Sequence, residues 1–221
     1  MKKYLIMALL IFSMLALMAC NGNGDTQDTV STPDDIPSNA NVSADSIPSP
    51  EAIGPQQQES RDAPDYITIR GERFSTALTE LDLSGVGLTD EEIAPLRYMT
   101  NLRVLNLGET QFDRNQISDI SSLAGLTNLE ILILRDNLIS DITPLAGLTN
   151  LTWLDLQSNQ ISDITALAGL TNLELLDLWN NQISDITPLA GLTNLHTLSL
   201  DFNQINDWSP VEHIDHVGGR P

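Results

Sequence analysis

The chain of 221 residues is 41% hydrophobic and carries a formal net charge of −20 at neutral pH, a length that accommodates one repeat domain with appended segments. Only 10 Lys and Arg residues stand against 30 Asp and Glu residues. Nucleic acid is therefore excluded as a partner, because binding that polyanion requires clustered basic side chains.

Residues 1–20 have the pattern of an export signal. Lys2 and Lys3 precede an apolar run that is shorter than the about 20 residues of a transmembrane helix. The run ends at Cys20, the only cysteine in the sequence. The sequence Leu-Met-Ala-Cys at 17–20 resembles the lipobox of bacterial lipoproteins, and the resemblance implies that Cys20 is lipidated and becomes the mature N-terminus. The alternative is an ordinary secretory signal with a chance cysteine.

Residues 21–65 are rich in Pro, Ser, Asn, Gln and Asp, and they carry nine acidic residues against the single Arg61. A segment of this composition buries too little apolar surface to fold. We therefore predict a disordered acidic tether with an end-to-end distance on the order of 40 Å.

Order is expected to resume at residues 66–77, which we predict to form an N-terminal cap. Ile67 and Ile69 alternate with polar residues, as in a half-buried strand. Gly71-Glu72 is expected to supply a turn, after which the chain returns as a second strand.

The central sequence, residues 129–194, repeats at a fixed period of 22 residues, with the copies LEILILRDNLISDITPLAGLTN, LTWLDLQSNQISDITALAGLTN and LELLDLWNNQISDITPLAGLTN. This period predicts a solenoid whose turns bury their apolar sides against one another. In the middle copy, the step of two between Leu154 and Leu156 predicts a short strand, and later steps of three predict a 3₁₀-like return segment. The apolar positions expected to face one interior are Leu151, Leu154, Leu156, Ile161, Ile164, Leu167 and Leu170.

Polar residues recur at fixed places in the repeats. An asparagine that follows each strand is expected to bond turn backbone groups in the interior. An aspartate at the next bend is expected to bond its own backbone and not a calcium ion. Thr143-Pro144 and Thr187-Pro188 are predicted to be a helix cap followed by proline at the first helical position. The asparagines are Asn137, Asn159, Asn181 and Asn203, and the aspartates are Asp119, Asp141, Asp163, Asp185 and Asp207.

The outer copies diverge within a repeat domain that we place at residues 78–208. The first copy has a predicted capped helical start at 89–92. The second copy is five residues longer than the standard one, with the extra residues at 109–114. That insertion either helps to shape a binding surface or is a tolerated surface loop. Residues 209–221 are predicted to be a thin C-terminal cap that ends irregularly from residue 215 onward.

The pattern LxxLxLxxNxI followed by SDIxPLAGLTN resembles the 22-residue leucine-rich repeats of bacterial surface proteins, especially internalins. The resemblance implies an α/β solenoid, a right-handed leucine-rich-repeat superhelix with a concave parallel β-sheet and 3₁₀ or extended segments on its convex side. It also implies that a protein partner binds the concave side. The sortase signal and immunoglobulin-like module of many internalins are absent from the sequence, which favours lipid anchoring over attachment to the cell wall.

Three columns of side chains are predicted to line the concave face, because they alternate with the inward leucines of each strand. The first column is Glu80, Val104, Ile131, Trp153, Leu175 and Thr197. The second column is Asp82, Asn106, Ile133, Asp155, Asp177 and Ser199. The third column is Ser84, Gly108, Arg135, Gln157, Trp179 and Asp201.

Within these columns we predict an exposed partner-binding patch that contains two tryptophans and a charged rim. Its composition is that of a protein-binding hot spot. The competing explanation is that β-branched and aromatic residues simply suit a strand. The predicted patch consists of Ile131, Ile133, Arg135, Trp153, Asp155, Leu175, Asp177 and Trp179, with Phe202 at its edge.

No catalytic set, free nucleophilic cysteine or phosphate loop is found in the sequence, and His213 and His216 have no third metal ligand nearby. We therefore expect no catalysis, cofactor or metal. The sequence predicts an exported monomer, held by lipid in the bacterial cell envelope at the cell surface or the periplasmic side, that binds a protein through its concave face. The alternatives are carbohydrate binding, with the tryptophans as stacking platforms, and an envelope scaffold without a discrete ligand.

Overall fold

The computed structural model describes residues 63–108 and 115–220. These residues all belong to one compact unit, Ala52–Pro221. The predicted export signal, the lipid site at Cys20, nearly all of the tether and the insertion at 109–114 lie outside the described residues and stay predictions. No helix among the described residues is both long enough and apolar enough to span a membrane.

An antiparallel hairpin begins the described chain, with β1 at Tyr66–Ile69 and β2 at Glu72–Ser75. The two residues between the strands have left-handed backbone, with φ of 50° at Arg70 and 85° at Gly71. This conformation is what a two-residue hairpin turn requires. The turn is Arg70-Gly71, one residue earlier than the predicted Gly71-Glu72, because the residue after Gly71 already begins β2. The hairpin packs on the repeats through the buried side chain of Ile67.

Seven three-residue strands form a parallel sheet in which spatial order follows chain order, as expected for a leucine-rich-repeat solenoid. The strands are short because the alternation of inward and outward side chains covers only the Leu-x-Leu step of each copy. They are β3 at Glu80–Asp82, β4 at Val104–Asn106, β5 at Ile131–Ile133, β6 at Trp153–Asp155, β7 at Leu175–Asp177, β8 at Thr197–Ser199 and β9 at His216–Gly218.

The return segments of the repeats are 3₁₀ turns, as the apolar steps of three predicted. The first copy differs, since it has a short α-helix at Asp90–Ile93 that continues as a 3₁₀ segment at Ala94–Tyr98. The Glu92 carboxylate accepts a hydrogen bond from the Thr89 backbone N–H at 2.9 Å, which confirms the predicted capping. The later 3₁₀ turns are Ser121–Leu123, Thr143–Leu145, Thr165–Leu167, Thr187–Leu189 and Ser209–Val211.

A continuous aliphatic core fills the space between the sheet and the 3₁₀ turns. In the middle copy, all seven apolar positions are at most 1% exposed, which confirms that they face one interior. Each fully buried aliphatic side chain contributes roughly 1.5 to 3 kcal/mol relative to an exposed one. The core runs without a break from Ile67 to Ile214.

An internal asparagine ladder completes the hydrogen bonds of the turns, as predicted. The Asn159 amide donates to the carbonyl of Leu156 at 3.0 Å in its own turn and to that of Leu134 at 3.1 Å in the preceding turn. Its side-chain oxygen accepts from the Ile139 N–H at 3.0 Å. The ladder also includes Asn115, which the sequence analysis did not count, because the insertion displaces it from the standard spacing.

The aspartate that precedes each 3₁₀ turn accepts a hydrogen bond from the backbone N–H two residues later, as predicted. The Thr143 N–H donates to Asp141 at 2.8 Å, and the Thr143 hydroxyl donates to the same oxygen. Hydrogen bonds from this hydroxyl and N–H lower the pKa of Asp141. The predicted threonine caps are wrong, because each threonine lies inside its 3₁₀ turn and the aspartate supplies the acceptor.

A second asparagine ladder runs along the exposed edge of the repeats and was missed in the sequence analysis. In each copy the asparagine of a Thr-Asn step donates to a threonine carbonyl of the preceding turn or, for Asn101, to the carbonyl of Thr76 just after β2. The Asn150 amide, for example, lies 2.8 Å from the carbonyl oxygen of Thr127. The other members of this ladder are Asn101, Asn128, Asn172 and Asn194.

The C-terminal residues extend the sheet, so the predicted irregular end from residue 215 onward is wrong for His216–Gly218. The strand β9 pairs with β8 and places Gly218 beside Ser199. Gly219 has a φ of 85°, and a Cβ there would lie 2.7 Å from the backbone nitrogen of Asp201. The pair of glycines, which resembles a loop in the sequence, therefore permits close contact between neighbouring strands.

Candidate functional site

The parallel register brings the predicted patch residues together on the concave face, which is the side of the sheet opposite the core. In the first column, Trp153 pairs with Ile131 on one side and Leu175 on the other. In the second column, Asp155 lies between Ile133 and Asp177. The backbone ladder continues beyond the strands, since the Ser158 N–H donates to the carbonyl of Trp179 at 2.8 Å.

The patch is less exposed than predicted. Ile133 is only 7% exposed and Asp155 only 6%, so the expectation of exposed side chains is wrong for these two residues. Both belong to the second column, which lies between the other two columns and between neighbouring strands that are about 4.8 Å apart. The other six residues of the predicted patch are half-buried: Ile131, Arg135, Trp153, Leu175, Asp177 and Trp179.

Asp155 is a buried acid at the centre of the patch. Its removal from water raises its pKa to about 6, which the hydrogen bond from the Gln157 N–H and the charge of Arg135 only partly oppose. That N–H lies 3.1 Å from Oδ1, and the Arg135 Nη1 lies 4.0 Å from Oδ2. Burial also raises the pKa of the neighbouring Asp177.

The second column has a structural role that the sequence analysis overlooked. The Asp177 Oδ1 accepts from the Trp179 N–H at 2.9 Å, just as Asp155 accepts from Gln157. Asp82 and Asn106 make the same bond to the residue two positions later. The recurrence of Asp or Asn at this place in four copies was the available signal.

Phe202 lies at the edge of the concave face and is 71% exposed, more than any other large hydrophobic residue in the described part of the chain. Its ring meets that of Trp179 edge to face, with 5.0 Å between centroids and an interplanar angle of 70°. The two rings form one aromatic surface at the third column.

The described residues provide no evidence of a reactive centre. In 63–108 and 115–220, no group of three or more His, Cys, Asp or Glu side chains is arranged to hold a metal ion. Asp82, Asp155 and Asp177 on the concave face each accept a hydrogen bond from a backbone N–H group. What the arrangement offers is a shaped surface of aromatic, aliphatic and acidic side chains.

Comparison with known proteins identifies the repeats. The family profile described as Leucine Rich repeats (2 copies) matches residues 111–147, 127–169, 149–190 and 171–213. No curated protein matches the chain. The four overlapping matches to the family profile together span residues 111–213, from the insertion of the second repeat through the C-terminal 3₁₀ turn.

Solved structures extend the similarity. Internalin C2 of Listeria monocytogenes is 32% identical, with 66% of this chain and 83% of that one covered and a TM-score of 0.49. A leucine-rich-repeat protein of Leptospira interrogans is 24% identical over 64% of this chain and 37% of that one, with a TM-score of 0.53. The plant peptide hormone receptor RGFR1, in complex with RGF2, is 21% identical over 66% of this chain and 25% of that one, also with a TM-score of 0.53. The chain belongs to the leucine-rich-repeat proteins, and its repeats are similar to those of internalins.

Proposed function

We propose that this protein is a lipid-anchored, extracytoplasmic binding protein that holds a protein partner on its concave face and catalyses no reaction. The observation that carries the proposal is the in-register row of Ile131, Trp153 and Leu175. These apolar side chains lie on the face opposite the core and remain partly exposed to solvent. Leucine-rich repeats generally mediate protein interactions, and the plant receptor of the same fold is described in complex with RGF2. Both facts favour a binding role over a purely structural one.

The concave face suits binding because its side chains are already fixed in position. Trp153 stands on a strand that hydrogen bonds to neighbours on both sides, so little conformational freedom is lost when a partner docks. Tryptophan is enriched among the few residues that dominate binding energy. Trp153 and Trp179 act as anchors, while Arg135, Asp155 and Asp177 give the surface its charge pattern.

The anchor part of the proposal rests on the sequence. The lipobox-like residues 17–20 support lipidation of Cys20, and stable attachment then requires more than one acyl chain. Residues 21–65 would place the repeats at a distance from the membrane. Labelling of cells with a fatty acid analogue tests this part directly, since the wild-type chain should incorporate the label and a Cys20→Ser variant should not.

A capture experiment tests the binding site. The full chain carrying Cys20→Ser is immobilised and exposed to envelope and host-surface extracts, beside the same chain with Trp153→Ala and Trp179→Ala. We expect the double variant to lose its partner, because each hot-spot truncation costs about 2 kcal/mol or roughly 30-fold in affinity. A second double variant, Glu80→Ala with Thr197→Ala, changes the same face outside the patch and should retain the partner.

The outcomes separate the proposal from its rivals. If both double variants retain the same partners as the parent chain, or the parent captures none, the concave face is not the binding site and a scaffold role is favoured. Release of the captured partner by free glycans would favour carbohydrate recognition instead.

A further inference from the structure

Phe202 occupies a backbone conformation that costs free energy for a bulky side chain. Its φ is 59°, in the left-handed region where small polar residues and glycine are tolerated best. The equivalent positions of the preceding copies fit that rule, since they hold Asp136, Ser158 and Asn180 with φ of 57°, 54° and 56°. The first copy has Gly85 at this place. Among the copies in which this position is described, the last one alone places an aromatic ring there, and the ring is 71% exposed.

The surroundings of Phe202 form an open aromatic corner, which we define as Phe202, Trp179, Asp177 and Asp201. The Trp179 ring packs against one side of Phe202. Phe202 and Asp201 also border a cleft of about 390 Å³ that Ile205 and Trp208 line. Phe202 therefore joins the Trp179 ring to the apolar lining of the cleft, and a docking side chain can pack against both.

The charge of this corner selects its occupant. Burial raises the pKa of Asp177, and the charge of the nearby Asp201 raises it further. The hydrogen bonds from the Trp179 N–H and the Ser199 side chain, and the charge of Arg135, oppose this shift only in part. A Cβ at Gly218 would lie 2.6 Å from the Asp201 Oδ2, so that carboxylate is held over the last strand. Ring faces beside carboxylates favour a cation with an apolar stem, since the stem packs on the rings and the charge meets the acids.

Two alternative occupants have the wrong charge. Residues 21–65 of this chain carry nine acids against Arg61, and they would bring negative charge to an acidic corner. A second copy of the chain carries a net charge of −20. Charge complementarity therefore favours a different molecule, one rich in lysine or arginine.

We propose that the aromatic corner binds a lysine or arginine side chain of a basic protein segment, with Phe202 and Trp179 against its carbon stem and Asp177 and Asp201 beside its charged end. This inference rests on the proposed binding function and specifies the chemistry of its partner.

The test uses the full chain carrying Cys20→Ser and two fluorescein-labelled peptides of equal length, one of alternating lysine and serine and one with glutamate in place of lysine. Fluorescence anisotropy at about 0.15 M salt measures their affinities. Phe202→Asn removes the ring without changing the net charge and restores the residue type found at Asn180. We expect this variant to bind the lysine peptide about tenfold more weakly than the parent does.

Matched charge variants complete the design. Asp201→Asn should weaken binding of the lysine peptide by about the same factor, whereas Asp136→Asn removes one charge three strands away and should leave the affinity within about twofold. The inference is overturned if the parent and Phe202→Asn bind the lysine peptide equally, if the parent does not bind it, or if the glutamate peptide binds as well. It is also overturned if the parent self-associates in a way that Phe202→Asn abolishes, because the occupant is then a second copy.

Failure of this inference can be distinguished from failure of the proposed function. Trp153→Ala alters the concave face without touching the corner. If Trp153→Ala loses the captured partner and Phe202→Asn retains it, the concave face binds that partner without the aromatic corner. The proposed function then holds and this inference fails.

Discussion

The buried Asp155 should weaken the fold at neutral pH, and replacing it with asparagine should remove that cost. The Gln157 N–H donates to the Asp155 Oδ1 at 3.1 Å, and Asp155→Asn keeps a side-chain oxygen that can accept this hydrogen bond. Asn106 already makes the equivalent bond to the Gly108 N–H at 3.0 Å in another copy. The substitution therefore removes the charge while retaining the local geometry.

The size of the gain follows from the pKa of Asp155, which burial raises from its ordinary 3.8 to about 6 in the folded chain. A shift of about two pH units corresponds to about 3 kcal/mol. Above pH 6 the carboxyl is ionised in both states and the folded state bears the whole cost. As the pH falls from about 6 to 3.8, the folded state takes up the proton first and the cost disappears.

Urea unfolding followed by circular dichroism, at pH values from about 4 to 8, measures this prediction. Asp155→Asn should raise the free energy of unfolding by up to about 3 kcal/mol at pH 8, and the gain should vanish near pH 4. The control Asp82→Asn has the same hydrogen bond on an exposed side chain, and it should change stability by under about 0.5 kcal/mol. A neutral or destabilising Asp155→Asn at pH 8, or a gain that does not vary with pH, would refute the reasoning.

Three further predictions concern the hydrogen bonds and contacts that join neighbouring turns. Asn159→Ala should lower the free energy of unfolding by about 2 to 4 kcal/mol in urea titrations, since it leaves buried backbone groups unpaired, and the half-buried Asn203→Ala should cost less. Arg70→Ala should cost about 1 to 2 kcal/mol by the same measurement, because Arg70 donates to two turn carbonyls and to Glu92. Gly219→Ala should speed amide hydrogen exchange in β9 while leaving the exchange of β5 unchanged, because its Cβ would collide with the backbone of Leu200 and Asp201.

Much of the fold was predictable because the repeat period fixes which side chains share a position. Leu154 and Leu156 identify a strand by their spacing alone, and the same spacing in each copy sets the register of the sheet. The asparagine ladder followed from the same logic, since an amide at one fixed place after every strand needs a common partner. Repetition thus converts a local pattern into a tertiary prediction.

Other features depend on neighbours that a single copy does not reveal. The burial of Ile133 and Asp155 results from the columns and strands on either side of them. The strand β9 lacks the leucine pattern, since Val217 alone occupies the inward position beside Leu198. The two adjacent glycines that follow are typical of a loop, so the sequence gives no sign of this strand. The left-handed backbone of Phe202 is likewise invisible in a residue type that rarely adopts it.

The internal asparagine ladder gives the solenoid a direction of assembly. Asn159 serves its own turn and the turn before it, so the Ile139 N–H obtains its acceptor only when the next copy arrives. The same relation joins Asn181 to Ile161 and Asn203 to Ile183. Each new turn therefore completes the hydrogen bonds of the turn before it, and a chain that emerges from its N-terminus leaves a single incomplete turn at the growing end. Ordered growth of this kind keeps the number of open backbone groups constant throughout synthesis, whatever the number of repeats.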